Sequence, residues 1–188
     1  MSDYIVFAGV NGAGKSTMYR SYRTLDQMKR INSDEIIRES GGDWRNPEDQ
    51  FNAGKIALSR IDEYFNSKIS FNQETTLASK NAIRNSIRAR ELGYYTELNY
   101  VGVENSDIAI ERIRQRVLDG GHGIPDDVVR KRYSKSIDNL SRALFTFETV
   151  FIYDNTNMFR PIAQYFNGNV IKIVDVMPNW FKEFLNKQ

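Results

Sequence analysis

The stretch Gly9-Val10-Asn11-Gly12-Ala13-Gly14-Lys15-Ser16 decides how the rest of the chain is interpreted. It fits the full G-x-x-x-x-G-K-[ST] pattern of a phosphate-binding loop. The β-branched and aromatic run Asp3 to Ala8 precedes it, and a helical pattern from Lys15 to about Tyr22 follows. This strand–loop–helix context argues against the alternative, a plain glycine turn with a surface lysine. The sequence therefore predicts a P-loop.

The chemistry of the loop explains its residue types. Glycines let several backbone N–H groups point at one phosphate, and the N-terminus of the following helix adds a favourable field. We expect Lys15 to reach the β- and γ-phosphates of ATP and Ser16 to offer its hydroxyl to Mg²⁺. The predicted nucleotide contacts in the loop are Gly9, Asn11, Gly12, Ala13, Gly14, Lys15, Ser16 and Thr17.

The rest of the chain alternates between strand and helix patterns. Further strands are predicted at 30–32, 69–73, 94–103, 149–153 and 169–174, and the longer helices start at Asn46 and cover 106–118 and 126–148. Such alternation implies crossovers and a mostly parallel sheet covered on both faces. We predict one α/β domain, 1–188, with the three-layer P-loop NTPase fold. The apolar helix faces are predicted at Phe51, Leu58, Ile61 and Phe65, and at Ala82, Ile83 and Ile87.

Composition narrows the class of protein. The 188 residues include no cysteine, which excludes a disulfide framework and thiolate chemistry. The formal charge of +2, from 26 basic and 24 acidic residues, is too even to predict a nucleic-acid partner. No apolar run approaches the roughly 20 residues that span a bilayer, and the first residues lack a basic leader. We therefore expect a cytoplasmic protein without a membrane partner.

Two absences favour one branch of P-loop proteins. The N/T-K-x-D signature of guanine recognition does not occur late in the chain, and Phe151-Ile152-Tyr153-Asp154-Asn155 lacks the Asp-Glu pair of motor and AAA-type ATPases. Small-molecule kinases fit best.

Two acidic residues follow predicted strands, where ligands of open α/β sheets bind. Asp34 is the predicted catalytic base for the attacking hydroxyl, with an alternative role as a helix cap together with Ser33. Glu74, Thr75 and Thr76 are predicted to bind the acceptor substrate, and Glu74 also to hold Mg²⁺ through water. An ordinary strand-to-helix turn is the alternative for these three.

A basic helix pair is predicted at about 106–135, and we call this segment the lid. Arg112 and Arg116 lie four residues apart, the glycine-rich turn 120–125 breaks the helix, and Arg132 lies on the next helix after Arg130 and Lys131. Arginine forks could close over phosphates. The alternative is a solvated basic face with a flexible turn.

Two further residues have two interpretations each. His122 either contacts substrate or stabilises the turn. Asn155 either contacts the nucleotide base or belongs to an Asx turn after the fifth strand.

An ordered set of motifs covers residues 3 to about 175 and resembles the zeta-toxin-like P-loop kinases, in particular their short bacterial branch. The set consists of Gly-Val-Asn-Gly-Ala-Gly-Lys-Ser-Thr at 9–17, Ile-Asn-Ser-Asp-Glu-Ile at 31–36, Glu-Thr-Thr-Leu at 74–77, Arg112 to Arg116, Gly-Gly-His-Gly-Ile-Pro at 120–125, Arg132-Tyr133 and Asp154-Asn155. Zeta toxins proper phosphorylate UDP-N-acetylglucosamine, and many are inhibited by a small antitoxin.

The resemblance implies an ATP-dependent kinase acting on a small-molecule hydroxyl. By it, Lys15 and Ser16 bind MgATP, Asp34 is the base, and Glu74 to Thr76 face a nucleotide sugar. Arginines among Arg112, Arg116 and Arg132 hold the transferred phosphate, and an antitoxin protein is an implied partner. From the residues alone, a non-catalytic ATP switch acting on a partner protein stays open.

Overall fold

The computed structural model describes residues 1–22, 25 and 27–187. Seven strands lie in this part of the chain: β1 (Asp3–Ala8), β2 (Lys29–Ile31), β3 (Phe71–Thr75), β4 (Tyr95–Gly102), β5 (Thr149–Asp154), β6 (Arg160–Phe166) and β7 (Asn169–Ile173). The helices described are α1 (Lys15–Ser21), α2 (Ser33–Glu39), α3 (Pro47–Asn66), α4 (Asn81–Glu91), α5 (Ser106–Leu118), α6 (Asp126–Thr146) and α7 (Asn179–Leu185). Within the described residues, no helix is long and apolar enough to cross a membrane.

The strands form one sheet in the order β2-β3-β1-β4-β5-β6-β7. The first five are parallel, so β1 lies in the interior and the loop after it opens at the carboxyl edge of the sheet. Side chains of β1 alternate between two buried clusters, with Tyr4 and Val6 in one and Phe7 in the other. Because both faces of the strand are covered, the predicted three-layer, mostly parallel α/β fold is confirmed.

The strand β6 was missed by the sequence analysis. It pairs antiparallel with β5 and with β7, so β6 runs opposite to the other six strands and β7 returns to their direction. Its second residue, Pro161, cannot donate a ladder hydrogen bond and hides the strand pattern. The proline lies opposite Tyr153, where the register shifts at an irregularity between Ile152 and Tyr153.

Two predicted helix faces were partly wrong. On α3, Phe51 is 62% exposed and Leu58 is 49% exposed, although Ile61 and Phe65 are buried as expected. The helix buries Ala53 and Ala57 with them instead, one turn apart along a single stripe. On α4, Ile87 is likewise exposed, while Ser86 and Ala89 are buried beside Ala82 and Ile83. In both helices a small residue occupies the buried position, and a larger apolar one faces outward.

Candidate active site

The P-loop is held in shape by β4 and by the residue that follows β5. Gly9 has φ +134°, and a Cβ there would lie 2.2 Å from the carbonyl oxygen of Val101 on β4. Gly14 has φ +104°, and a Cβ there would lie 2.5 Å from Nδ2 of Asn155. That Nδ2 donates to the carbonyl oxygen of Ala13 at 2.8 Å. Side chains at these glycines would therefore be excluded by both strain and collision.

Lys15 begins α1 and is almost fully buried, with 6% exposure. Its Nζ donates to the carbonyl oxygen of Val10 at 3.1 Å and lies 4.0 Å from Oε1 of Glu74. The side chain of Lys15, at the end of the loop, therefore closes back on Val10 near its start.

The environment of Lys15 penalises its charge. Burial is the main cause that lowers the pKa of its ammonium group, while the carboxylates of Glu74 and Asp34 oppose that shift. Arg116 and Arg132 of the lid lower the pKa of Lys15 further. A polyanion bound beside Lys15 would relieve this penalty, because an opposite charge favours the protonated amine.

Glu74 is the acceptor at the centre of a hydrogen-bond network. It is the penultimate residue of β3, so it lies in the strand rather than after it as predicted. The hydroxyl of Ser16 lies 2.9 and 3.0 Å from its two carboxylate oxygens. Arg30 donates to Oε2 at 2.6 Å, and Nδ2 of Asn32 donates to the same oxygen at 3.1 Å. The carboxylate is thus fixed against the P-loop. Sequence reasoning missed Arg30, for which no local motif gave a signal, and gave no role to Asn32, although it lies in the motif at 31–36.

A cavity of about 550 Å³ opens beside the P-loop. Six basic side chains and three acidic ones line it, which gives it a positive balance. The lining residues are Asn11, Gly12, Gly14, Lys15, Ser16, Thr17, Tyr19, Arg20, Arg30, Asn32, Asp34, Glu35, Arg38, Glu74, Arg112, Arg116, His122 and Asn155. Most residues predicted from the sequence are therefore brought together, and Arg20 and Arg38 are added to them.

Asp34 lies in the first turn of α2 and lines the cavity. The helix begins at Ser33, and the cap is Asn32, whose Oδ1 accepts from the backbone N–H of Asp34 at 2.9 Å. The alternative prediction, that Ser33 and Asp34 cap the helix, is therefore wrong. Within the described residues the carboxylate of Asp34 is exposed and makes no hydrogen bond or ion pair.

The three lid arginines contact neutral oxygens. Arg112 donates to the carbonyl oxygen of Thr156 at 3.0 Å. Arg116 donates from Nε to the carbonyl oxygen of His122 at 2.9 Å. Arg132 donates to Oδ1 of Asn11 at 3.0 Å, beside the cavity rather than in its lining.

The base of the lid is part of the core. Ala109, Ile110 and Ile113 of α5 and Val129 of α6 are buried in the cluster that contains Val10 of the P-loop. Toward the tip, Leu118 is 80% exposed. The packing therefore anchors the first two turns of α5 and leaves the tip as the part that could move.

Some predicted residues lie outside the cavity lining. The hydroxyls of Thr75 and Thr76 accept from the backbone N–H groups of Leu77 and Ala78, as the turn interpretation expects. Gly9 and Ala13 shape the P-loop from behind, and the exposed Arg130 and Lys131 pair with Asp107 and Asp127. The ring of His122 does line the cavity and packs edge-on against Trp44, at 5.7 Å between centroids.

The sequence of this chain also matches a known protein family. The family described as AAA domain, AAA_33, matches residues 5–143, which is more than half of the chain. The chain belongs to this family. The Asp-Glu pair that AAA-type ATPases usually carry is absent after β5 in this member of the family.

Relatives of this AAA-domain protein share part of its sequence or its fold. A protein of Haemophilus influenzae described as uncharacterized is 35% identical over 133 residues, which are 69% of this chain and 91% of the relative. A solved complex of AvrRxo1-ORF1 and AvrRxo1-ORF2 with ATP contains a chain with a TM-score of 0.72 and 14% identity over all of this chain. The alignment spans only 63% of that larger chain.

A third relative comes from the PezAT chromosomal toxin–antitoxin system of Streptococcus pneumoniae. It has a TM-score of 0.60 and 17% identity, covering 99% of this chain and 84% of its own. At these identities the two solved structures show a common fold. The resemblance to zeta toxins is therefore supported as a distant similarity in fold.

Proposed function

We propose that this protein is an ATP-dependent phosphotransferase that phosphorylates a hydroxyl group of a small molecule. One observation carries the proposal: a single cavity joins the P-loop to the unpaired carboxylate of Asp34. A kinase needs both, because the γ-phosphate must be held while a base orients the attacking hydroxyl. A simple nucleotide-binding switch would have no need for a free carboxylate in the same cavity as the P-loop.

On the nucleotide side, the loop amides and Lys15 would bind the β- and γ-phosphates of ATP. Arg112 and Asn155 flank the same region and would contact the rest of the nucleotide. That a complex with this fold was solved with ATP supports the choice of nucleotide.

The donor set fits Mg²⁺. The Ser16 hydroxyl and both oxygens of Glu74 lie within 3.0 Å of one another, and hard oxygen donors are what Mg²⁺ prefers. No group of three or more His, Asp or Glu side chains suited to a metal occurs in the described part of the chain. Phosphate oxygens and water would therefore complete the coordination, as is usual for Mg²⁺ at nucleotide sites. When bound, the ion would neutralise charge on the phosphates.

On the acceptor side, Asp34 would take the proton of the attacking hydroxyl. Arg116 and Arg132 would hold the transferred phosphoryl group, since charge-assisted bonds to phosphate are stronger than the bonds to neutral oxygens that they make now. Glu74, Thr75, Thr76 and His122 are proposed acceptor contacts. A nucleotide sugar is the proposed acceptor, on the resemblance to zeta toxins.

The direct test is transfer of label from γ-labelled ATP into a panel of nucleotide sugars, beginning with UDP-N-acetylglucosamine. A labelled product that depends on Mg²⁺ and on Lys15 supports the proposal. If the protein binds ATP tightly yet labels no acceptor in a broad metabolite extract, the proposal fails and a non-catalytic ATP switch replaces it.

A partner protein is a second proposal. Two relatives of this fold come from a two-protein complex and from a toxin–antitoxin system. By analogy, a second protein would bind this chain and inhibit it. Co-purification of a stoichiometric partner that inhibits phosphotransfer would support this proposal, and phosphotransfer unchanged by every co-purifying protein would contradict it.

A further inference from the structure

Arg30 is a largely buried cation that the predicted mechanism does not use. It lies in the middle of β2, and its side chain is 11% exposed. Its guanidinium lies 3.6 Å above the ring centroid of Tyr19 on α1. A stacked, enclosed arginine has little freedom to turn, so the directions of its donors are fixed.

Each nitrogen of Arg30 donates to a different residue. Nε donates to both oxygens of Glu35 at 2.9 and 3.0 Å, and Nη1 donates to Oδ1 of Asn72 at 3.1 Å. Nη2 donates to Oε2 of Glu74 at 2.6 Å. No other residue type offers this fork, since lysine presents one point charge.

The two carboxylates line the same cavity but belong to different elements, β3 and α2. Glu74 accepts from Ser16 on the phosphate side. Glu35 is the neighbour of Asp34 in the first turn of α2, on the acceptor side. Arg30 therefore connects the strand end that touches the P-loop with the helix that carries the proposed base.

We propose that Arg30 is a positioning residue that holds Glu74 toward Ser16 and, through Glu35, sets the place of Asp34 relative to the phosphates. The inference rests on the proposed phosphotransfer. Without Arg30, Glu74 would lose its shortest charged contact. Its carboxylate would then be free to turn toward Lys15, whose Nζ is already 4.0 Å away. A residue that orients ligands in this way typically changes metal affinity or activity by about 10–100-fold when it is replaced.

The test is a double-mutant cycle with Arg30→Gln, Glu74→Gln and the double variant. If Arg30 acts through Glu74, Arg30→Gln lowers kcat by about 10–100-fold in the wild-type background. In the Glu74→Gln background it should change kcat by much less, because coupled residues are not additive. Equal fold-changes in both backgrounds would overturn the inference.

A second readout does not need turnover. Calorimetry of ATP binding with and without Mg²⁺ gives the factor by which the ion improves affinity. We expect Arg30→Gln to reduce that factor, while the matched control Arg60→Gln leaves it unchanged. Arg60 also pairs with an acid of α2, Glu39, but at 3.2 Å on the surface outside the cavity. An Mg²⁺ factor equal to wild type in Arg30→Gln would contradict the proposal.

The two failures are distinguishable. If the wild-type protein transfers no phosphate, the proposed function is wrong. The factor by which Mg²⁺ improves ATP affinity then still tests the role of Arg30. If Arg30→Gln does not fold, Arg30→Lys keeps the charge and loses the fork, and it should show the same losses with a near-wild-type circular dichroism spectrum. A lysine variant with wild-type kcat and Mg²⁺ factor would leave Arg30 a purely structural role and overturn the inference.

Discussion

The two ends of the cavity are built differently. At the phosphate end, Glu74 accepts a hydrogen bond from Ser16 and lies 4.0 Å from Nζ of Lys15. Arg30 and Asn32 donate to the same carboxylate. At the acceptor end, the side chains of Asp34 and Arg38 are exposed and have no hydrogen bond or ion pair in the described part of the chain. The first end is pre-organised by these contacts, whereas no such contacts hold the two exposed side chains at the second end. Replacing Lys15 at the first end should therefore act on nucleotide binding, and replacing Asp34 at the second should act on turnover.

The largest effect should come from Asp34→Asn. Loss of a general base lowers the rate of phosphotransfer by about 10²–10⁴-fold. ATP affinity should stay near wild type, because the P-loop is unchanged. The cap of α2 is Asn32, so the helix should be unaffected. Label transfer and calorimetry measure the two quantities, with Glu39→Gln on the outer part of α2 as control. Wild-type transfer by Asp34→Asn would remove Asp34 from the mechanism.

The next effect should come from the lid. We expect Arg116→Ala and Arg132→Ala each to lower turnover by about 10²–10³-fold, the usual cost of losing one donor to transition-state charge. MgATP affinity should change far less. Arg114→Ala is the matched control, because Arg114 is on the same helix but pairs with Glu111 and Asp126 on the surface. If both variants turn over like the control, the helix pair is only a solvated basic face.

Lys15→Met tests the pre-organised end. At 100 times its Kd, a ligand adds about 2.7 kcal/mol to the free energy of unfolding, so MgATP should raise the Tm of the wild type. The variant should lose most of that shift, because it lacks the charge that meets the β- and γ-phosphates. Lys131→Met, at an exposed position paired with Asp127, should keep it. Equal MgATP affinities in wild type and Lys15→Met would refute the P-loop assignment.

The smallest expected effect is on the free energy of unfolding of Lys15→Met in the absence of nucleotide. Burial lowers the pKa of Lys15, so its charge destabilises the folded state at pH values below that lowered pKa. Lys15→Met should then raise the free energy of unfolding by about 0.5–2 kcal/mol near neutral pH, as relief of a functional-site cost commonly does.

This advantage of Lys15→Met should shrink as the pH rises through the folded pKa toward 10.5, since the wild-type amine then loses its proton. Urea unfolding of both proteins from pH 7 to 10 measures it. A stability advantage of Lys15→Met that grows with pH would contradict the lowered pKa of Lys15.

The parts of the fold and site that the sequence predicted are local ones. Gly9 to Ser16 is contiguous, and the strand and helix around it are adjacent in the chain, so pattern alone was enough. Asp34 was found because it follows a strand at the edge where ligands bind. The sequence predicted that the third strand ends at residue 73, whereas β3 extends to Thr75 and includes Glu74.

What the sequence could not give depends on distant partners. The contact of Arg30 with Glu74 joins residues 44 positions apart, and only the register of β2 on β3 brings them together. In the same way, Phe51 fits a helical apolar stripe, but packing of α3 through Ala53 and Ala57 turns it outward. Periodicity describes an element by itself, and the choice between two faces is made by its neighbours.

The position of β5 has a consequence for how the protein can be produced in pieces. The AAA-domain match stops at residue 143, yet β5 is the strand that covers one side of β4. A polypeptide shortened to that limit would expose an unpaired, apolar β4 edge, which invites pairing between copies and precipitation. It would also lack Asn155, the side chain that supports Ala13 of the P-loop. The smallest fragment worth expressing must therefore extend past the limit that family similarity suggests.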